Sequence, residues 1–344
     1  MSSNTEGTRL GLRAGEWVEV RSRDEILGTL DRDGRLEELP FQPEMLAYCG
    51  QRLKVGKVAH KTCDTVRKTG GRRMANAVHL EGIRCDGASH GGCQANCLLF
   101  WKEAWLKRPG DAARAIASAG CTEKDVRRAV TREGGADVAD PTWVCQVTRL
   151  YEATSPLSPW DARQYVRDVT SGNVSLWKMV CILSFAGYTK LLQLGVGYRA
   201  LLWFYNRWQA LTGGKPYPIA SGLLPKGVRT PTGQLDLQVG EWVKVKPADE
   251  IRATLGADAR NRGLLFDPEM VKSCGERLQV KRRVQRLIDE PTGKMIVMKN
   301  PCIVLAGAEC SGECTPRRLA CPRAIDSYWR EIWLERASEH GGQT

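Results

Sequence analysis

The chain of 344 residues is 42% hydrophobic and 26% charged, too apolar for a disordered or collagen-like chain and suited to two or three globular domains. Lys and Arg number 51 against 39 Asp and Glu, so the net charge of +12 points to anionic partners: nucleic acid, lipid headgroups or an acidic substrate. No secretory signal pattern opens the sequence, so its 13 cysteines are expected in a cytoplasmic, reducing setting, as metal ligands or reactive thiols and not as a disulfide scaffold.

In chain order, the first expected element is a strand in GEWVEV, residues 15–20, where apolar and polar residues alternate and the tryptophan and valines would face inward. A turn follows at Asp33-Gly34, then a short helical turn with Pro43 at its first position, ending at Cys49-Gly50. Strand patterning resumes in RLKVGKVAHKTCD. The segment CLLFWKEAWLKR places Leu98, Trp101, Trp105 and Leu106 at helical spacing beside Lys102, Glu103 and Lys107, which predicts a closing amphipathic helix with its tryptophans in the core.

Residues 109–212 predict a central helical domain. Thr122 has N-cap chemistry, and Ser158-Pro159 and Ser171-Gly172 frame another helix. Residues 174–211 form the most apolar stretch, interrupted only by Lys178, Lys190, Arg199 and Arg207. Its longest uncharged runs, 11 and 8 residues, fall short of the roughly 20 that a spanning helix needs. A buried helix pair, a homo-oligomer interface and a helix lying on a membrane surface all fit this pattern. A Gly/Pro-rich linker, 213–235, follows.

The sequence then repeats. The stretch starting at Leu12 returns at Leu237, an offset of 237 − 12 = 225 that also carries Trp17 onto Trp242, Phe41 onto Phe266, Met45 onto Met270, Cys49 onto Cys274 and Cys85 onto Cys310. Three inserted residues later bring Cys93 onto Cys321, Trp101 onto Trp329 and Trp105 onto Trp333. The G-E-W-V-x-V opening of each copy resembles the first strand of SH3-like barrels of the KOW or Tudor kind. That resemblance implies a small bent barrel serving as a binding module for RNA, protein or a partner subunit, and it does not extend to the cysteine-rich halves. The expected architecture is α+β: two homologous small β-barrel-plus-helix units, 11–108 and 236–337, flanking the central α-helical domain.

The cysteines carry the strongest chemical signal. Cys63, Cys85, Cys93 and Cys97 form one set of four, and Cys302, Cys310, Cys314 and Cys321 another. Four thiolates satisfy a tetrahedral zinc or an iron–sulfur cluster, one per repeat, although the gaps of 21, 7 and 3 residues, and of 7, 3 and 6, lack the usual C-x2-C knuckle. His79 and His90 are alternative ligands or proton donors, and Glu81 and Asp86 lie close enough in sequence to orient a ligand or act as a base. At the offset of 225, Val304, Ala306 and Ser311 replace His79, Glu81 and Asp86, so the working site is expected in the first copy. Cys49 and Cys274 precede glycine in both copies and read either as packed thiols or as fifth ligands. Cys121, Cys145 and Cys181 read as core residues.

No nucleophile elbow, phosphate loop, dinucleotide fingerprint or H-E-x-x-H is present. The function expected is a cysteine-ligated metalloprotein, iron–sulfur or zinc, in a biosynthetic, redox or sulfur-related bacterial role. The rival expectations are a non-catalytic zinc-stabilised module binding nucleic acid or protein through the basic runs 67–73 and 281–286, and a membrane-surface scaffold.

Overall fold

The computed structural model describes residues 9–113, 120–134, 137 and 139–337. Chain contacts divide it into two units, one of residues 1–179, 286–297 and 320–323, the other of residues 180–285, 298–319 and 324–344. Helices and strands are mixed, as α+β predicts.

Each copy of the repeat builds a five-stranded sheet with the same neighbour order. In the first copy the order runs Trp101–Lys102, Ala77–Leu80, Arg52–Val58, Trp17–Val20 and Leu106–Lys107; in the second it runs Asp326–Trp329, Met295–Glu309, Arg277–Ile288, Trp242–Val245 and Leu334–Arg336. The register repeats as well. Trp17 pairs with Lys54 and Trp242 with Gln279, while Val78 pairs with Trp101 and Ile303 with Trp329. Both sheets are open, with two unpaired outer strands each, so the barrel closure expected from the opening strand is not seen.

Two local expectations are corrected. Val18 and Val20 are buried, but Trp17 is 56% exposed, because successive side chains of a strand alternate and Trp17 lies on the face opposite Val18. The segment 101–107 is not a helix: strand Trp101–Lys102, a 3-10 turn Glu103–Trp105 and strand Leu106–Lys107 replace it, and 326–336 does the same. Its polar residues face inward. Glu103 accepts the Leu10 and Gly11 amides at 2.5 and 3.0 Å, as Glu331 accepts those of Leu235 and Asp236 at 2.6 and 3.0 Å, and Lys102 reaches Glu37 at 2.6 Å. A helix would leave these buried charges without partners, and their pairing selects the strand–turn–strand path.

The tryptophans themselves are core residues. Trp101, Trp105, Trp329 and Trp333 are fully buried; Phe41 meets Trp105 edge-on at 5.1 Å, and Phe266 meets Trp333 at 5.4 Å. Each indole at the 3-10 turn donates to a threonine, Trp105 to Thr29 at 3.1 Å and Trp333 to Thr254 at 2.9 Å. Cys49 packs against the first core and Cys274 against the second, while Cys121 is a member of the first.

Between the copies run helices Glu123–Arg128, Arg163–Thr170, Leu176–Gln193 and Tyr198–Thr212. Thr122 caps the first of these through a reciprocal capping box with Asp125. The helix Arg163–Thr170 is tied to the first unit by Asp168, fully buried, which meets Lys61 at 2.6 Å and His60 at 3.3 Å. Burial, then the Lys61 charge, depresses the His60 imidazole to about 3, so it stays neutral beside that pair.

Candidate metal centre

The short turn Pro43–Tyr48 and the loop after strand Ala77–Leu80 bring Glu44, Cys85 and His90 together. The loop CDGASHGGC is shaped by glycines. Gly87 has φ +73, and a Cβ there would sit 1.9 Å from the Cys93 carbonyl oxygen, so only glycine permits this closure. The His90 and Gly92 amides both donate to the Gly87 carbonyl at 3.0 Å, which turns the imidazole inward.

One ligand atom from each of Glu44, Cys85 and His90 lies within 4.8 Å of the others. The Cys85 thiol donates to Glu44 Oε1 at 2.9 Å, Gln42 Nε2 donates to the same oxygen at 2.9 Å, and His90 Nδ1 lies 3.6 Å from it. His90 Nε2 meets the Val144 carbonyl at 3.1 Å; a carbonyl can only accept, so Nε2 carries the proton and Nδ1 presents its lone pair toward Glu44. His90 Nδ1 and Glu44 Oε2 are buried polar atoms with no hydrogen-bond partner among the described residues. The His90 Nδ1 lone pair and the Cys85 thiol thus both lie beside the Glu44 carboxylate, a donor set that could hold a metal ion.

The electrostatics keep Cys85 a thiol and His90 neutral in the metal-free protein. Burial, followed by the Glu44 carboxylate, pushes the Cys85 thiol far above the ordinary cysteine range. Burial lowers the His90 imidazole despite the opposing pull of Glu44. A cation reverses the penalty on a Cys85 thiolate and needs the neutral imidazole that burial already favours.

Beside this trio lies a cavity of about 30 Å³ lined by Cys85, His90, Cys93, Cys97, Cys145 and Phe100. Cys93 joins Val130, Trp143 and Ile288 in a small apolar cluster. Burial raises Cys97 to about 12 and Cys145 to about 11, so both are thiols. Arg323 is buried next to the cavity wall; its guanidinium meets Glu290 at 2.8 Å and feels Cys63, Cys97 and Cys321.

The sequence-predicted residues therefore separate. Cys85 and His90 share the trio, and Cys93 and Cys97 line the cavity beside it. Cys63, in strand Lys61–Cys63, lies 4.0 Å from Arg323. His79 is buried elsewhere, its Nδ1 donating to the Leu99 carbonyl at 2.9 Å and its ring 4.4 Å from Phe100. Glu81 is exposed and 3.8 Å from Lys54, and Asp86 is exposed and accepts the Ala88 amide at 2.9 Å. Sequence reasoning missed Glu44, which the repeat could have flagged, because Glu269 occupies the same register at 44 + 225. Cys145 is buried, as expected of a core residue, and it also lines the cavity.

In the second copy, Cys321 folds with the first unit, apart from Cys302, Cys310 and Cys314. Glu269 has different company there. It accepts from the Ser311 hydroxyl at 2.8 Å and the Cys314 amide, and the Lys272 ammonium lies 3.5 Å away, held also by Ser311 and Glu313 at 2.7 Å each. Cys302 is buried, 3.5 Å from Met298 Sδ and 3.6 Å from Arg330. Burial pushes Cys314 and Cys274 up to about 12.

The basic runs are largely occupied within the protein. Arg67 and Arg72 each lie over the Tyr151 ring at 3.8 Å, Arg73 pairs with Asp161 at 2.8 Å, Lys281 with Glu309 at 3.3 Å, and Arg283 with Asp236 at 3.0 Å. The chain matches no protein-family model, and no curated protein is similar to it.

Proposed function

We propose that the protein is a metalloprotein whose first repeat holds one zinc-class divalent ion on Glu44, Cys85 and His90 Nδ1. The grouping of Glu44, Cys85 and His90 ligand atoms within 4.8 Å, with the buried His90 Nδ1 lone pair lacking a hydrogen-bond partner among the described residues, carries this reading. Mixed sulfur, nitrogen and carboxylate donors suit zinc, and three protein ligands leave a fourth position for water or a small ligand, the arrangement of a reactive site. That position borders the cavity lined by Cys93, Cys97 and Cys145. Its volume of about 30 Å³ leaves room for a small ligand beside a single ion. The Val144 carbonyl fixes the His90 tautomer, and Gln42 steadies the Glu44 carboxylate. The second repeat is a homologous copy retained for its fold, with the Lys272 ammonium beside the carboxylate that matches Glu44.

Cobalt substitution tests this directly. A Cys85–cobalt bond gives an intense thiolate charge-transfer band that disappears in Cys85→Ser, whereas an as-purified brown protein with acid-labile sulfide would replace the single-ion reading with a cluster.

A further inference from the structure

The helices Leu176–Gln193 and Tyr198–Thr212 carry the most apolar stretch of the chain, and no helix of the described residues is long and apolar enough to cross a membrane. Their facing sides are filled by aromatics, Tyr188 lying 5.3 Å from Tyr205 and Phe185 5.7 Å from Tyr217. Asn206 is turned to this packed side, where its Oδ1 accepts the Tyr217 amide at 2.8 Å. The outward side is the apolar one. Trp203, Phe204, Arg207, Trp208 and Leu211 follow the spacing of one helical face, and Trp203 and Trp208 are 61% and 66% exposed. Leu194 and Val196, in the connecting turn, are exposed too. A helix of a water-bathed protein normally puts such a face on the core, and this one inverts the pattern.

Charge identifies the occupant. Residues 169–235 contain no Asp or Glu, so all 39 acidic residues of the chain lie elsewhere, while Lys178, Lys190, Arg199 and Arg207 punctuate the two helices. We propose that this helix pair docks on an anionic lipid surface, with Trp203, Phe204, Trp208 and Leu211 seated at the headgroup boundary and the cations on lipid phosphates. A second copy of the chain fits less well, because two such faces meet with cations on both sides and no carboxylate to pair them.

The full chain is tested by cosedimentation with vesicles of phosphatidylglycerol and phosphatidylcholine, and with phosphatidylcholine alone. The expected result is binding to the anionic vesicles, a blue shift of tryptophan emission, and release by high salt. Arg199→Glu with Arg207→Glu, both at exposed positions, should weaken binding on the order of tenfold or more, and Trp203→Ser with Trp208→Ser comparably, with unchanged far-ultraviolet circular dichroism. Should the tryptophan variant unfold, the arginine variant alone decides. Absence of binding, binding that neither variant weakens, or a dimer in solution that shields the tryptophans overturns the proposal. Metal content measured on the same samples is independent of this outcome.

Discussion

The two copies of the repeat place a glutamate at the same point of the same turn and then treat it differently. Glu269 is answered from within the chain, by the Lys272 ammonium, the Ser311 hydroxyl and the Cys314 amide. Glu44 faces a thiol and an imidazole, with one oxygen unpartnered, and alanine, Ala47, stands where the second copy has Lys272. A buried carboxylate requires a positive neighbour or a hydrogen-bond set. The second copy supplies a cation as a side chain, whereas the first supplies only neutral donors, the Cys85 thiol and the Gln42 amide, and there the proposed metal ion would take the cation's part.

The same contrast recurs at the rim of the sheets. Glu37 pairs with the buried Lys102 at 2.6 Å in the first copy, while Arg262 and Arg330 occupy those registers in the second, and the Arg330 guanidinium instead donates to the Arg262 carbonyl at 3.0 Å. What the copies keep in common is backbone register and the aromatic core. The Glu103 and Glu331 carboxylates are kept as well, and what varies is the partner given to other buried charges.

Four expected outcomes probe this comparison, beginning with the largest. Trp101→Ala and Trp329→Ala remove fully buried indoles from matched places and should each destabilise the protein by about 3–5 kcal/mol in urea unfolding. A large inequality would mean that the shared core is not equivalent. Next, acid should act on the copies unequally. His79, which burial lowers to about 4, is matched by Val304. The unfolded chain takes up this proton near pH 6.5 and the folded one only near 4, so the stability it protects is complete above 6.5 and declines between 6.5 and 4, by on the order of 3 kcal/mol. Hydrogen exchange at pH 5 should show the first sheet opening before the second, and His79→Val should shorten the lead without abolishing it, because His60, lowered to about 3, draws on the same acid range.

Removing Cys85 or His90 should weaken zinc binding by on the order of a hundredfold or more, about 3 kcal/mol, whereas Cys310→Ser leaves it unchanged. Calorimetric titration reads both. The smallest effect concerns Lys272. Lys272→Ala removes the ammonium beside Glu269 and should cost about 1–3 kcal/mol, recovered in part by Glu269→Gln. No recovery would show that the ammonium does not balance that carboxylate.

Much of the fold could be read in the sequence, because the repeat aligns whole strands and their tryptophans at a constant offset. The sheet order could not, nor its failure to close, since both depend on pairings between distant segments. In the segment 101–107, Trp-x-x-x-Trp has helical spacing, but the partners of the buried Lys102 and Glu103 lie far away in sequence, in Glu37 and in the Leu10 and Gly11 amides, where no local pattern shows them. At the candidate site, Cys85 and His90 stood out by residue type and by their glycine-rich loop. Glu44 did not, being 41 residues before Cys85 in a turn whose visible pattern was the proline and the methionine. Cys145 lies outside the repeat, and only folding brings it to the cavity of Cys93 and Cys97.

Metal stoichiometry of the full chain after dialysis against zinc is the most direct test of the central claim, with Glu44→Gln and Glu269→Gln measured side by side. One zinc per chain in the native protein and in Glu269→Gln, lost from Glu44→Gln, is the predicted result. Zinc retained by Glu44→Gln, or none bound by the native protein, would contradict the account.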